Sequence, residues 1–170
     1  MITHLSNNEY SSYYSNYIQK AKHEDIVLGL QHSKEEFVSF VTNLPDDKWL
    51  FSYADGKWTL VEVLQHLIDT ERVFSYRALC FARNDGNSLP GFDQDQYVPF
   101  SNANNSSKKE IVSDFIAVRE STISLFKRCT PEMSTRIGEA SKSPMSARAV
   151  GYIIPGHQQH HFEVIKSRYL

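Results

Sequence analysis

The sequence predicts an all-α fold, a four-helix bundle. Three observations predict it. Four stretches of about twenty residues place their apolar side chains at helical spacing. Proline, glycine and capping-box signals separate those stretches. No alternating strand pattern runs longer than four or five residues.

The first helix is expected from Glu24 to Leu44, with Ile26, Leu28, Leu30, Phe37, Phe40 and Val41 among its apolar positions. Pro45 ends it, because a residue before proline is driven out of helical backbone. A shorter helix over residues 7–20 is expected ahead of it. The second opens at GKWTLVEVLQHL, where Thr59 is the N-cap and Glu62 completes a capping box. Leu60, Val63, Leu64, Leu67, Phe74, Ala78 and Phe81 carry its period to about Arg83, with an end near Gly86. The third opens at SSKKEI with Ser107 and Glu110 in the same spacing, and Ile111, Phe115, Val118, Thr122, Leu125 and Phe126 mark its buried face. Pro131 follows it. The fourth runs from Ser146 to Tyr169. There Val150, Ile154, His157, His161, Val164 and Arg168 step by 4, 3, 4, 3 and 4, the period of a bundle seam. Pro155 interrupts it, either as a kink or as the start of a fresh helical piece.

The connection over residues 84–105 is far longer than a usual bundle loop. It can travel the length of the bundle, which would let the third helix run parallel to the second. Its aromatics, Phe92, Tyr97 and Phe100, predict that it packs. The reading is one domain over 1–170, with residues 1–23 as an extension packed on the bundle.

Composition narrows the function classes. Lys plus Arg is 18 and Asp plus Glu is 20, too balanced for a nucleic-acid footprint. Lys108 and Lys109 read as solvated helix face. No run of eighteen apolar residues offers a membrane span, and the N-terminus lacks the regions of a signal peptide. Cys80 and Cys129 lie far apart and outside any CxxC, so both are expected reduced, packed and cytoplasmic.

His157 and His161 are four residues apart, one above the other on one helical face, in the seam where a neutral bundle would carry Leu. Burying two imidazoles costs free energy unless they find partners, and a divalent metal uses both. His66, on a stripe with Val63, Thr70 and Val73, is the candidate third ligand. Three histidines without a fourth protein ligand is how a catalytic zinc is held, with one position open. Plain packing also accounts for the spacing. His160 is an alternative to either seam ligand, or a flanking residue. The zincin spacing HExxH is present, but its glutamate position is Gln158, so a protease base is missing. No Glu-x-x-His pair suggests a di-iron bundle.

The segments GKWTLVEVLQHLIDTERVFSYRALCFAR, LPGFDQDQYV and IIPGHQQHHFEVIKSRYL resemble the DinB-like (YfiT-related) family of metal-dependent four-helix-bundle proteins. The likeness spans residues 24–170, and its combination of HLxDTER with a later GHxxHH is specific. The resemblance implies an up-down-down-up bundle and nickel or zinc held by His66, His157 and His161. It also implies a homodimer. Some relatives are thiol S-transferases, others resemble hydrolases or isomerases, and many have no known reaction.

The expected function is therefore thiol transfer to a small electrophilic molecule at a three-histidine metal. The small-molecule partner includes a low-molecular-weight thiol, with no nucleic acid and no membrane. A metal-dependent hydrolase and a non-catalytic, stress-related metal-binding bundle are the alternatives. Asp69 or Glu62, one turn either side of His66, is placed to take its second ring N–H, or else sits as a surface or cap carboxylate. Thr70 and His160 are further pocket candidates. Glu71 and Arg72 read as inter-helix polar pairs. Arg77 is too distant for the metal but suits an anionic substrate group, and Phe92 and Tyr97 suit a pocket wall or the core.

Overall fold

The computed structural model describes residues 5, 6 and 8–170; residues 1–4 and 7 of the expected N-terminal extension lie outside them. The helices are α1 (Ser15–Lys20), α2 (Ile26–Thr42), α3 (Leu60–Ala82), α4 (Gln94–Tyr97), α5 (Lys108–Lys127), α6 (Pro131–Thr135) and α7 (Ala147–Arg168). Strands β1 (Ile137–Ala140) and β2 (Ser143–Ser146) form one antiparallel hairpin. α2, α3, α5 and α7 make a four-helix bundle.

The caps set where these helices begin. Thr59 Oγ1 accepts from Glu62 N at 3.2 Å, and Glu62 Oε2 accepts from Thr59 N at 2.7 Å. Ser107 and Glu110 form the same reciprocal pair on α5. Each box satisfies two orphan donors of a first turn. Ser146 caps α7, which continues unbroken through Pro155 to Arg168. The proline leaves one backbone acceptor, the carbonyl of buried Gly151, without its helical donor.

Residue pairings give the helix directions. Lys34 meets Glu120 while Lys108 meets Asp46, so α2 and α5 run opposite ways. Thr59 bonds Asn104 while Arg72 bonds Asp114, so α3 and the chain entering α5 run the same way. Tyr152 donates to Glu24 O and Gln158 to Ser33 O, so α7 follows α2.

The core divides into two apolar halves. Leu30, Phe74, Phe81, Ile123, Met145 and Ile153 belong to one. Phe37, Leu64, Ile68, Phe115, Phe162 and Ile165 belong to the other. Between them, in sequence and in space, lies a polar layer to which all four bundle helices contribute. Arg119, 1% exposed, donates Nε and Nη2 to the two oxygens of Glu71 at 2.7 and 2.9 Å. Its Nη2 also donates to Gln158 Oε1 at 3.0 Å, and its Nη1 to Leu30 O at 3.1 Å and Ser33 Oγ at 2.5 Å. All five guanidinium donors are thereby used.

The long connection is pinned rather than free. Leu89 donates to Glu139 O at 2.9 Å and accepts from Ser141 N at 3.1 Å, which fastens it to the hairpin. The hairpin turns through Ser141 and Lys142, both at positive φ (53° and 60°). Gly138 lets β1 lie against Phe81, because a Cβ there would stand 2.1 Å from its ring.

The N-terminal segment is latched at Glu9. Ser146 N donates to Glu9 O at 2.8 Å, and the buried carboxylate accepts from Ser146 Oγ at 2.8 Å and from Arg148. Burial alone would raise this carboxyl, but hydrogen bonds from Arg148, Ser6 and Ser146 override it and bring it down to about 2.

Two outcomes follow from these polar contacts. Arg119→Met leaves the Glu71 carboxylate buried without a counter-charge and should cost about 3–5 kcal/mol in urea unfolding, whereas Glu71→Leu with Arg119→Met should recover much of that. Equal stability of the single variant and the parent would contradict this. Glu9 ionises more readily folded than unfolded, so its contribution is complete above pH about 4.5 and fades as pH falls toward about 2. The stability advantage of the parent over Glu9→Gln should therefore shrink across that window, and an advantage independent of pH would count against the latch.

Candidate metal centre

α3 supplies His66 and α7 supplies His157 and His161. The antiparallel approach of the two helices brings all three Nε2 ends together. His157 Nε2 lies 3.3 Å from His66 Nε2 and 3.0 Å from His161 Nε2. One ligand atom from each residue falls within 4.8 Å of the others, and no carboxylate or thiol among the described residues joins them. Nitrogens bound at 2.0–2.1 Å to one ion stand about 2.9–3.4 Å apart in octahedral or tetrahedral geometry, so the observed spacings suit a metal.

Desolvation keeps the three imidazoles neutral. Burial brings His66 down to about 4. His161 is brought down to about 3 by burial first and then by His66 and His160. His157 is pushed well below its ordinary value, again by burial first and then by the other histidines. Neutral imidazole is the ligating form. Thr70 Oγ1 stands 3.2 Å from His66 Nδ1. With the Nδ1–H donated there, His66 Nε2 presents a lone pair to the cluster. Two imidazoles can share one proton between them, but His157 Nε2 faces two partners at once. A single ion accepts all three lone pairs.

Aromatic rings surround the cluster. Trp58 packs on His66 with centroids 5.0 Å apart, and Tyr17 stands edge-on to His157 at 5.1 Å. His160 lies 5.1 Å from His161 and 5.4 Å from Tyr17, half-buried and outside the ligand cluster.

Several expected neighbours lie elsewhere. Asp69 accepts from Gln65 at 3.0 Å and from Arg72 at 2.9 Å, so its carboxylate serves the α3 surface and Thr70 supports His66 instead. Glu62 is occupied by its capping box and by Asn104 at 2.8 Å. Arg77 is buried and donates to Pro90 O and Ser141 Oγ, both at 3.1 Å. It fastens the long connection to the hairpin rather than awaiting an anion. Tyr97 lines a surface groove with Asp69, Arg72, Val73 and Phe100, apart from the histidines, and Phe92 packs on Tyr97 at 5.5 Å. Glu71 pairs with Arg119 and Arg72 with Asp114. Tyr17, Trp58, Ser33 and Arg119 carried no periodic signal that marked them for this region.

A family model described as the DinB superfamily matches residues 30–165. The chain belongs to the DinB superfamily. Among solved structures, this DinB chain is similar to YfiT from Bacillus subtilis, described as a probable metal-dependent hydrolase with an unusual four-helix bundle topology. The two share 15% sequence identity, the match covers 96% of this chain and 90% of YfiT, and the TM-score is 0.67. At that identity the likeness shows the fold. A search of curated proteins finds no match.

Gln158 explains why the zincin-like spacing lacks its glutamate. Its Oε1 accepts from Arg119 while its Nε2 donates to Ser33 O at 2.7 Å. A carboxylate cannot make the second bond. Gln158→Glu should therefore destabilise the protein by about 1–3 kcal/mol in urea unfolding. An unchanged midpoint would show that the amide is not needed there.

Proposed function

We propose that His66, His157 and His161 hold one divalent ion, nickel or zinc, and that the centre transfers a low-molecular-weight thiol to a small electrophilic molecule. The observation that carries this reading is the convergence of three neutral Nε2 atoms from two helices. A divalent ion on three neutral ligands retains its full charge and lowers the pKa of a coordinated thiol or water toward neutrality.

The chain's own residues supply the setting. Thr70 fixes the His66 tautomer, Trp58 and Tyr17 exclude water from two of the rings, and the buried Glu71–Arg119 pair is internally neutral. Among the described residues no carboxylate joins the histidine cluster to serve as its general base. That favours a nucleophile that ionises near neutral pH without one, a thiol over a water. Hydrolysis of a small ester or amide is the second reading, supported by the description of YfiT. No described helix is long and apolar enough to cross a membrane. Assembly as a homodimer in the cytoplasm belongs to the same proposal and rests on the family resemblance.

Metal analysis of the tag-free chain, reconstituted with nickel or zinc, tests this. About one ion per chain is expected, with loss in His66→Ala and in His157→Ala. With cobalt in the site, a small thiol should change the visible spectrum. Absence of metal in the reconstituted parent would make the histidines packing residues, and a bound ion indifferent to thiol would point to a structural site.

A further inference from the structure

We propose that Tyr17 is a positioning residue of the metal centre, its ring holding His157 and His160 in place, so that α1 completes a site otherwise built by α3 and α7. This rests on the three-histidine reading above. The matched family segment begins at residue 30, so α1 lies outside it.

The three ligands differ in how their rings are held. His66 has the Thr70 hydroxyl beside Nδ1 and the Trp58 indole packed at 5.0 Å with the two rings tilted by 49°. His157 and His161 are held by rings instead. Tyr17 meets His157 at 5.1 Å with an interplanar angle of 82°, and meets His160 at 5.4 Å and 65°. His160 in turn stands edge-on to His161 at 5.1 Å and 76°. One phenol ring therefore bears on one ligand directly and on a second through His160. Edge-on aromatic contacts favour a defined angle between rings, and so resist the rotation that would swing Nε2 away from its neighbours.

The backbone holds Tyr17 where this contact requires it. Gly156, the residue before His157, lies against the Tyr17 carbonyl so closely that a Cβ would stand 1.8 Å from its oxygen. Glycine at that position is what lets α1 reach the ligand-bearing turn of α7. Ile18 is buried in the core next to it and Tyr14 packs on Phe74 at 5.9 Å, whereas Lys20 at the helix end makes only an exposed ion pair with Glu163, of a kind that contributes little. α1 is thereby anchored on both sides of Tyr17, and the ring is presented rather than merely nearby.

The test uses tag-free full chain with cobalt and zinc as probes: the parent, Tyr17→Leu, Tyr17→Phe, and Lys20→Met. Leu keeps apolar bulk but no ring, Phe restores the ring without the hydroxyl, and Lys20→Met removes a different contact of α1. Chelator competition gives the affinity, the cobalt absorption spectrum gives the ligand geometry, and circular dichroism confirms equal folding. Tyr17→Leu should bind about 10- to 100-fold more weakly with an altered cobalt spectrum, while Tyr17→Phe and Lys20→Met stay within about twofold of the parent. Parental affinity and spectrum in Tyr17→Leu would overturn the inference alone. A parent that takes up neither ion would overturn the metal reading, and this inference with it.

Discussion

The Arg119 guanidinium touches every helix of the bundle, and the placement of the other elements depends on that contact. It lies from α5 against Glu71 of α3, Ser33 and the Leu30 carbonyl of α2, and Gln158 of α7. A buried ion pair adds little net stability, because desolvating both charges offsets their attraction. Its effect here is on register. A slip of one helix by a turn would leave a guanidinium, a carboxylate or an amide unpaired in an apolar core, at a cost no hydrophobic gain would repair.

That register places the histidines. Thr70 precedes Glu71 and His157 precedes Gln158, so the residues that meet Arg119 are chain neighbours of those that build the candidate centre. When Glu71 and Gln158 converge on one guanidinium, α3 and α7 stand at the height where His66 faces His157 and His161. A single small cavity touches both features, bordered by Thr70, Glu71, Arg119, His157 and Gln158. The polar layer and the histidine cluster form one continuous set of side chains crossing the bundle. Its charged part is closed and neutral, and its imidazole part turns three Nε2 atoms toward one another.

The sequence makes the four long helices legible because their signals are local. Caps such as Thr59 with Glu62 need only neighbouring residues, and both boxes form. The histidine cluster is legible for a related reason, since an imidazole in an apolar seam calls for a partner. The hairpin is a different case. Its strands are four residues long, Pro144 lies inside one of them, and its Ser141–Lys142 turn lacks the Asn-Gly signal that announces such turns. Arg119 reads as an exposed charge on an amphipathic helix until Glu71, Ser33 and Gln158 are placed around it. Tyr17 and Trp58 lie outside the four long periodic stretches, so nothing local ties Tyr17 to His157, 140 residues on, or Trp58 to His66, eight residues on. Asp69 and Thr70 both lie one turn from His66, so helical spacing leaves either open as its neighbour, and packing alone puts Thr70 beside the ring and Asp69 against Gln65 and Arg72.

X-ray absorption of the zinc-loaded chain, with and without a small thiol, bears most directly on the centre described here. Three imidazole nitrogens at about 2.0–2.1 Å are predicted, together with a further light ligand that the thiol replaces by sulfur at about 2.3 Å. A zinc site with four protein ligands and no sulfur on thiol addition would contradict the open three-histidine centre.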